Sequence, residues 1–257
     1  MKRILVYALM ALLGFTACDA SNNDGPSPSL NTSFKFTHNW DDEDVSNVDF
    51  NTFQFTNENG DVLSIERLRY VISDIVFTGT SGEQLRFNIY NLIDVTNSEG
   101  LVYDLPFFIP PGNYANMAFT FGFDNEDNAQ NYLDLNAASF NVPESLGGGY
   151  HYMQFDGKYL DVNDEAKPFN YHAIRAVDNT GTDLVFPQDT FFTVNLGPIS
   201  ISADAVIEVK ANLAEWFRNP NTWNLNELNT VLMPNPEAQI KMYENGQTVF
   251  SLGQIVQ

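Results

Sequence analysis

Cysteine is almost missing from this chain: Cys18 is the only one. No intramolecular disulfide can form, which excludes a disulfide scaffold and a cysteine-rich zinc site. Basic residues are also scarce, 12 against 33 acidic ones, for a net charge of -21. Such a surface repels phosphate backbones, so no nucleic-acid partner is expected. Histidine and tryptophan number three each. Beyond the first residues, no apolar run is long enough for a transmembrane helix. The catalytic signatures G-x-S-x-G and H-E-x-x-H are absent, as is a phosphate-binding glycine loop. Leu146-Gly147-Gly148-Gly149 leads into a predicted strand rather than a helix, so it lacks the context of a phosphate cradle. Carboxylates are too abundant for any pair to stand out as acid and base. The expectation is a protein that is not an enzyme; a hydrolase acting through surface carboxylates has no nucleophile to point to.

What is present is aromatic. Of 257 residues, 44% are hydrophobic and 14% aromatic, led by 21 Phe and 11 Tyr. That length can bury a substantial core, and aromatic enrichment favours strands.

Lys2 and Arg3 precede an apolar run from Ile4 to Ala17. It is shorter than the roughly 20 residues a bilayer span needs, and reads as a secretory signal peptide over residues 1–17. Phe15-Thr16-Ala17-Cys18 resembles a bacterial lipobox, with Phe15 where Leu is commoner. The implied chemistry is diacylation of Cys18, cleavage before it and acylation of the new amine. Cleavage removes Lys2 and Arg3, taking the charge to -21 - 2 = -23. Residues 18–33, rich in Ser, Asn, Gly and Pro, read as a flexible tether behind the lipidated cysteine. The expected location is the cell envelope, on the outer membrane facing periplasm or exterior, with acyl chains as the membrane hold.

Residues 34–257 read as one domain with no internal repeat. From Phe34 to Trp40 the chain alternates, with Phe34, Phe36, His38 and Trp40 on one face. Further strands are predicted at Phe50 to Thr56, Ile65 to Thr78, Leu85 to Val95, Tyr114 to Phe123, the block around Tyr150 to Phe155, Phe169 to Val177, Thr190 to Leu196, Ala205 to Lys210 and Thr248 to Val256. Asn59-Gly60-Asp61 marks a hairpin turn. Short helices are expected at Leu213 to Phe217 and at Ala238 to Glu244, the latter capped by Asn235 with Pro236 behind it. Short strands divided by turn signals point to an all-β fold, an antiparallel sandwich with short helices near the C-terminus.

All three histidines sit on or beside predicted aromatic strands. If Leu146 to Lys158 runs as a strand, His151, Met153 and Phe155 share one face, and Tyr150, Tyr152 and Gln154 the other. An imidazole beside a thioether suits a soft metal such as copper. Each histidine is equally readable as a hydrogen-bonded core residue, and both readings stand. Asp124, Asn125 and Asp127 lie in an acidic loop dense in the hard oxygen donors that suit calcium. Ala129 and Leu135 occupy the positions where an EF-hand needs glycine and glutamate, so the alternative is a solvated turn. Asp41 to Asp44 reads as a solvated loop.

Four segments occur in this order: Leu68 to Ile75 (LRYVISDI), Phe119 to Asn128 (FTFGFDNEDN), the G-Y-H-Y-M-Q-F-D-G-K-Y block and Phe169 to His172 (FNYH). Over residues 33–257 the chain resembles the MbnP-like family of periplasmic copper-binding proteins, in a lipoprotein version. The resemblance implies a β-sandwich that binds copper through histidines. His38 matches the histidine near the mature N-terminus, His172 the one after the aromatic block, and His151 lies inside the block. It also implies a di-haem periplasmic oxidase-type partner that converts a tryptophan to kynurenine. Relatives often carry W-x-W where this chain has Tyr150-His151-Tyr152, and Trp40 is the only tryptophan near a candidate ligand.

Two functions follow as expectations. The first is a lipid-anchored copper-binding protein for acquisition, storage or handover, with His38, His151, His172 and Met153 as ligands. The second is a surface or periplasmic module binding a glycan, a peptide or a partner protein, with Tyr150 and Tyr152 as an exposed aromatic platform.

Overall fold

A computed structural model describes residues 30–257. The signal-peptide and Cys18 readings, and most of the tether, lie outside the described residues. In chain order the strands and helices are β1 Thr32–Trp40, β2 Glu43–Val45, β3 Phe55–Thr56, β4 Val62–Gly79, β5 Gln84–Asp94, β6 Val102–Asp104, β7 Gly112–Phe121, α1 Leu133–Ala137, β8 Met153–Leu160, β9 Ala166–Ala173, β10 Phe192–Ile201, β11 Ala205–Asn212, α2 Pro236–Gly246 and β12 Phe250–Val256. Among the described residues no helix is long and apolar enough to cross a membrane.

The strands form two sheets. One runs β12-β11-β1-β2, with β6 also on β1; the other runs β10-β7-β4-β8-β9, with β3 and β5 also on β4. Their inner faces share one aromatic core. Phe36 of the first sheet meets Tyr70 and Phe119 of the second with ring centroids 6.4 Å apart, and Phe250 packs on Phe119 and Phe121. This is the expected all-β sandwich, reached by alternation: Phe34, Phe36, His38 and Trp40 are all buried. One pair departs from the antiparallel expectation. β1 and β11 run parallel, from Thr32 opposite Ala205 to Asn39 opposite Asn212. The predicted strand from Phe50 to Thr56 shrinks to the two residues of β3. The C-terminal helix forms as expected, with the Asn235 side chain accepting the Ala238 amide at 3.1 Å.

β4 organises the site. It is an 18-residue strand. On one edge β5 covers Arg69 to Thr78. The other edge is shared by two strands in succession: β7 pairs from Gly79 back to Ile72, and β8 from Tyr70 back to Leu63. β7 and β8 thus occupy a single lane along β4, interrupted by residues 122–152. At the break the Val71 amide donates to the Tyr152 carbonyl and the Gly122 amide donates to the Val71 carbonyl, both at 3.0 Å. The excursion holds the acidic loop, α1, the triple-glycine turn and His151.

Candidate metal centre

β8 and β9 pair with Gln154 opposite His172 and Asp156 opposite Asn170. These four side chains share the sheet face turned away from the sandwich core, because Phe155, Phe169 and Tyr171 between them fill that core. Arg67 and Arg69 of β4 join the same face: Arg67 Nε meets Asp156 Oδ2 at 2.5 Å and Arg69 Nε donates to Gln154 Oε1 at 2.7 Å. The excursion lies over it. The Gln154 amide donates to the Ser139 carbonyl, the Arg69 guanidinium sits 5.4 Å from the Phe140 ring centre, and His151 closes the space, only 4% exposed.

His151 and His172 come together there, ring centroids 5.2 Å apart and planes at 83°. The hydrogen bonds fix which nitrogens are available. The Phe140 carbonyl accepts from both the amide and Nδ1 of His151 at 2.9 Å. A carbonyl only accepts, so the proton is on Nδ1 and Nε2 carries the lone pair. That Nε2 is buried and has no hydrogen-bond partner. Burial lowers the His151 pKa to about 4. The Phe140 bond opposes this, and the positive charges of Arg69 and Arg67 add to it. The imidazole is therefore neutral at pH 7, the form that binds metal.

His172 is held from its other side. Its Nε2 lies 2.7 Å from Asp156 Oδ1. Burial alone would raise the Asp156 pKa, but the bonds from His172, Asn170 and Arg67 outweigh it and hold it at about 2. A carboxylate can only accept, so Nε2 of His172 donates and Nδ1 faces the remaining side. Carboxylate, imidazole and free ring nitrogen form the arrangement that orients histidine ligands at metal sites. Two imidazoles bound at about 2 Å to one tetrahedral ion have centroids roughly 5 Å apart, and the observed separation of 5.2 Å matches that spacing.

The other predicted ligands do not join. His38 is buried in the inter-sheet core, where its Nε2 is 3.0 Å from the Tyr70 hydroxyl. Burial lowers its pKa to about 4 and raises that of Tyr70. Among the described residues the three imidazoles do not gather into one group of ligand atoms. Met153 is opposite Ala173 in the pairing and fully buried in the core, on the far side of the sheet from His172. The expectation that His151 shares Met153's face fails because regular strand begins only at Met153. Residue 151 still belongs to the excursion, its amide bonded to Phe140.

Tyr150 and Tyr152 are buried, which removes the proposed aromatic platform. The Tyr150 hydroxyl accepts the Tyr132 amide at 2.7 Å and lies 2.9 Å from Asn136 Oδ1. Trp40, Trp216 and Trp223 are buried as well. Trp40 donates to the Thr56 carbonyl and packs between Phe55 and Phe217.

The acidic loop closes on itself: Asp124 Oδ1 accepts the amides of Glu126 and Asp127 at 2.9 and 2.8 Å. Asp124 and Asp127 stay together, but Asn125 turns away to donate to Asp189. Its place is taken by Asp74 of β4, which lies at a bulge with φ +51°. Ligand-capable oxygens of Asp74, Asp124 and Asp127 lie within 4.8 Å of one another. Burial, then the charges of Asp127 and Asp124, raise the Asp74 pKa to about 6.

Sequence reading passed over Asp156, Arg67, Arg69 and Phe140. Asp156 had a signal, since it lies on the polar face of the aromatic strand two residues beyond Gln154. A cleft of about 590 Å³ lies apart from the His151–His172 pair, along β1 beside Lys35, His38, Asp44 and Glu208.

With this geometry in place, comparison with known proteins gives a family. A family model described as MbnP matches residues 29–234. Among solved structures, MbnP from Methylosinus trichosporium is similar over 76% of this chain and 80% of its own, at 11% identity and a TM-score of 0.47. No curated protein matches the chain.

Proposed function

We propose a copper-binding role for this chain, which belongs to the MbnP family. It would be anchored to the cell envelope through acylated Cys18, and would hold copper for acquisition, storage or handover without chemistry of its own. His151 Nε2 and His172 Nδ1 would be the metal ligands, with Asp156 orienting His172. The observation that carries this reading is the buried His151 Nε2: a lone pair without a partner, on a ring whose centroid is 5.2 Å from that of a second imidazole pinned by a carboxylate. Leaving such an acceptor unsatisfied is costly, and a metal ion satisfies it. Imidazole nitrogens suit copper, and the copper assignment rests on the family resemblance together with that donor set.

The test is a competitive copper(I) titration of the mature protein under anaerobic conditions. His151→Ala and His172→Ala are each expected to weaken binding by more than the ~10–100-fold typical of losing an outer-shell partner. His38→Ala should leave affinity and stoichiometry unchanged. Unchanged binding in the double variant, or loss of binding in His38→Ala alone, refutes the assignment.

A further inference from the structure

The first described residue, Leu30, is fastened to one loop. The Ile109 amide donates to the Leu30 carbonyl at 3.0 Å and the Leu30 amide to the Ile109 carbonyl at 3.3 Å; the Leu105 amide donates to the Thr32 carbonyl at 2.9 Å. That loop, residues 105–111, reads Leu-Pro-Phe-Phe-Ile-Pro-Pro and contains no charge. At its tip Phe108 is 61% exposed and Phe107 is 40% exposed. Phe107 is held in place by stacking on Phe87, centroids 4.7 Å apart. Val102, just upstream on β6, is also exposed.

Water-facing phenylalanine pairs of this kind mark a contact surface. The backbone narrows the choice of what they contact. Pro106, Pro110 and Pro111 have no amide proton, and the amides of Leu105 and Ile109 are bonded. Five of the seven residues therefore have no free donor to desolvate. The Pro110 carbonyl is taken by the Tyr114 hydroxyl at 2.6 Å. With apolar side chains throughout and only the Phe107 and Phe108 amides left as free donors at its tip, the segment suits the headgroup interface, where water still reaches the backbone. Position points the same way. Eleven residues lie between Cys18 and Leu30, a reach of at most about 40 Å, so a lipid on Cys18 keeps Leu30 and the loop bonded to it within that distance of the bilayer.

We propose that the Leu105–Pro111 loop seats the protein on a lipid surface, with Phe107 and Phe108 entering the interface. This rests on the lipid-anchor reading of Cys18. The tether raises the local lipid concentration, so two phenylalanines suffice for a contact too weak to bind free protein. The flanks set the lipid class. Asp104, bonded to the Ser33 hydroxyl, and Asp204, bonded to Asn31, stand beside the loop. Their charge disfavours anionic headgroups and leaves zwitterionic ones.

The test places a probe at the tip of the loop. All three native tryptophans are buried, so Phe108→Trp reports on its own site. The mature chain, residues 18–257, is coupled through the Cys18 thiol to a maleimide lipid in phosphatidylcholine vesicles, which imposes the tether chemically. Acyl-chain bromines should then quench the Phe108→Trp emission by about half or more, as for an interfacial aromatic, and leave the wild type unchanged. An unquenched probe that stays open to aqueous iodide on vesicles that carry the protein overturns the proposal. So does protection without vesicles that grows with protein concentration, which assigns the loop to a second copy. The anchor reading is tested separately by flotation of the full-length chain expressed in bacteria, against Cys18→Ser. Failure of both to float would sink the anchor and leave the maleimide result standing on its own.

Discussion

Mild acid should destabilise this protein through two residues in different places. His38 in the inter-sheet core and His151 in the candidate site both have pKa values lowered from 6.5 to about 4 by burial. In the unfolded chain each takes up a proton below pH 6.5; in the folded protein each stays neutral down to about 4. Between those values the unfolded state binds more protons, so stability falls as pH falls. A displacement of 6.5 - 4, about 2.5 on the pH scale, at 1.36 kcal/mol each, gives about 3 kcal/mol per histidine. Together they remove about 6–7 kcal/mol, a large part of the 5–15 kcal/mol typical of a folded domain. Asp74 acts in the opposite sense. Its pKa is raised to about 6, so its cost to the fold is relieved as pH falls toward 3.8. Asp156, lowered to about 2, contributes a loss only below its unfolded value of 3.8.

The assay is urea unfolding of the metal-free protein between about pH 7 and pH 4.5, where each histidine adds a slope of up to about 1.4 kcal/mol per pH unit. His38→Gln retains a polar group near the Nε2 position that meets Tyr70. His151→Asn retains one near the Nδ1 position that bonds the Phe140 carbonyl. Each variant is expected to unfold more easily than wild type at pH 7 and to lose its share of the pH slope. If either keeps the wild-type slope, that residue is not a neutral buried imidazole and the argument for it fails. For His151, the same result would also remove the lone pair on which the metal assignment depends.

Two further predictions concern the neighbours of the site. Asp156→Asn should weaken copper binding by about 10–100-fold without abolishing it, because the ligand nitrogens remain while the group orienting His172 loses its charge; unchanged affinity would show that Asp156 does not position the ligand. Gly122→Ala should destabilise the fold by about 2–4 kcal/mol in urea unfolding, because Gly122 has φ +85° and a Cβ there would lie 2.6 Å from the Tyr152 ring; a loss under about 0.5 kcal/mol would show that the β7–β8 junction is not tightly packed there.

The sandwich was legible because alternation is a local signal. Phe34 to Trp40 could bury one face in only one way, and the structure buries it so. What alternation does not encode is the partner. Nothing in β1 or β11 announces that they pair in parallel, since the same side chains face inward in either direction. The interruption between β7 and β8 was equally hidden, because both strands alternate normally and only their shared partner β4 shows that they form one lane. Asp156 was lost in a crowd of 33 acidic residues, where neither type nor spacing marks the carboxylate that matters.

The error at His151 has a more general cause. Counting by twos from Met153 is correct only while the chain stays in the sheet, and it leaves the sheet at Tyr152. A histidine kept in register would have pointed into the core with Met153, where His38 already shows the outcome: an imidazole bonded to a tyrosine in a closed aromatic interior. Being out of register, His151 is bonded instead to the Phe140 carbonyl and lies beside His172, and its second nitrogen is left without a partner. Regular strands satisfy their own backbone groups and pack their side chains in fixed directions. At residue 151 that regularity lapses, and the Phe140 carbonyl rather than a neighbouring strand fixes the ring. The candidate metal centre therefore lies at the break in the β7–β8 lane because His151 leaves the strand there, while β9 holds His172 in register and β8 holds Asp156 against it.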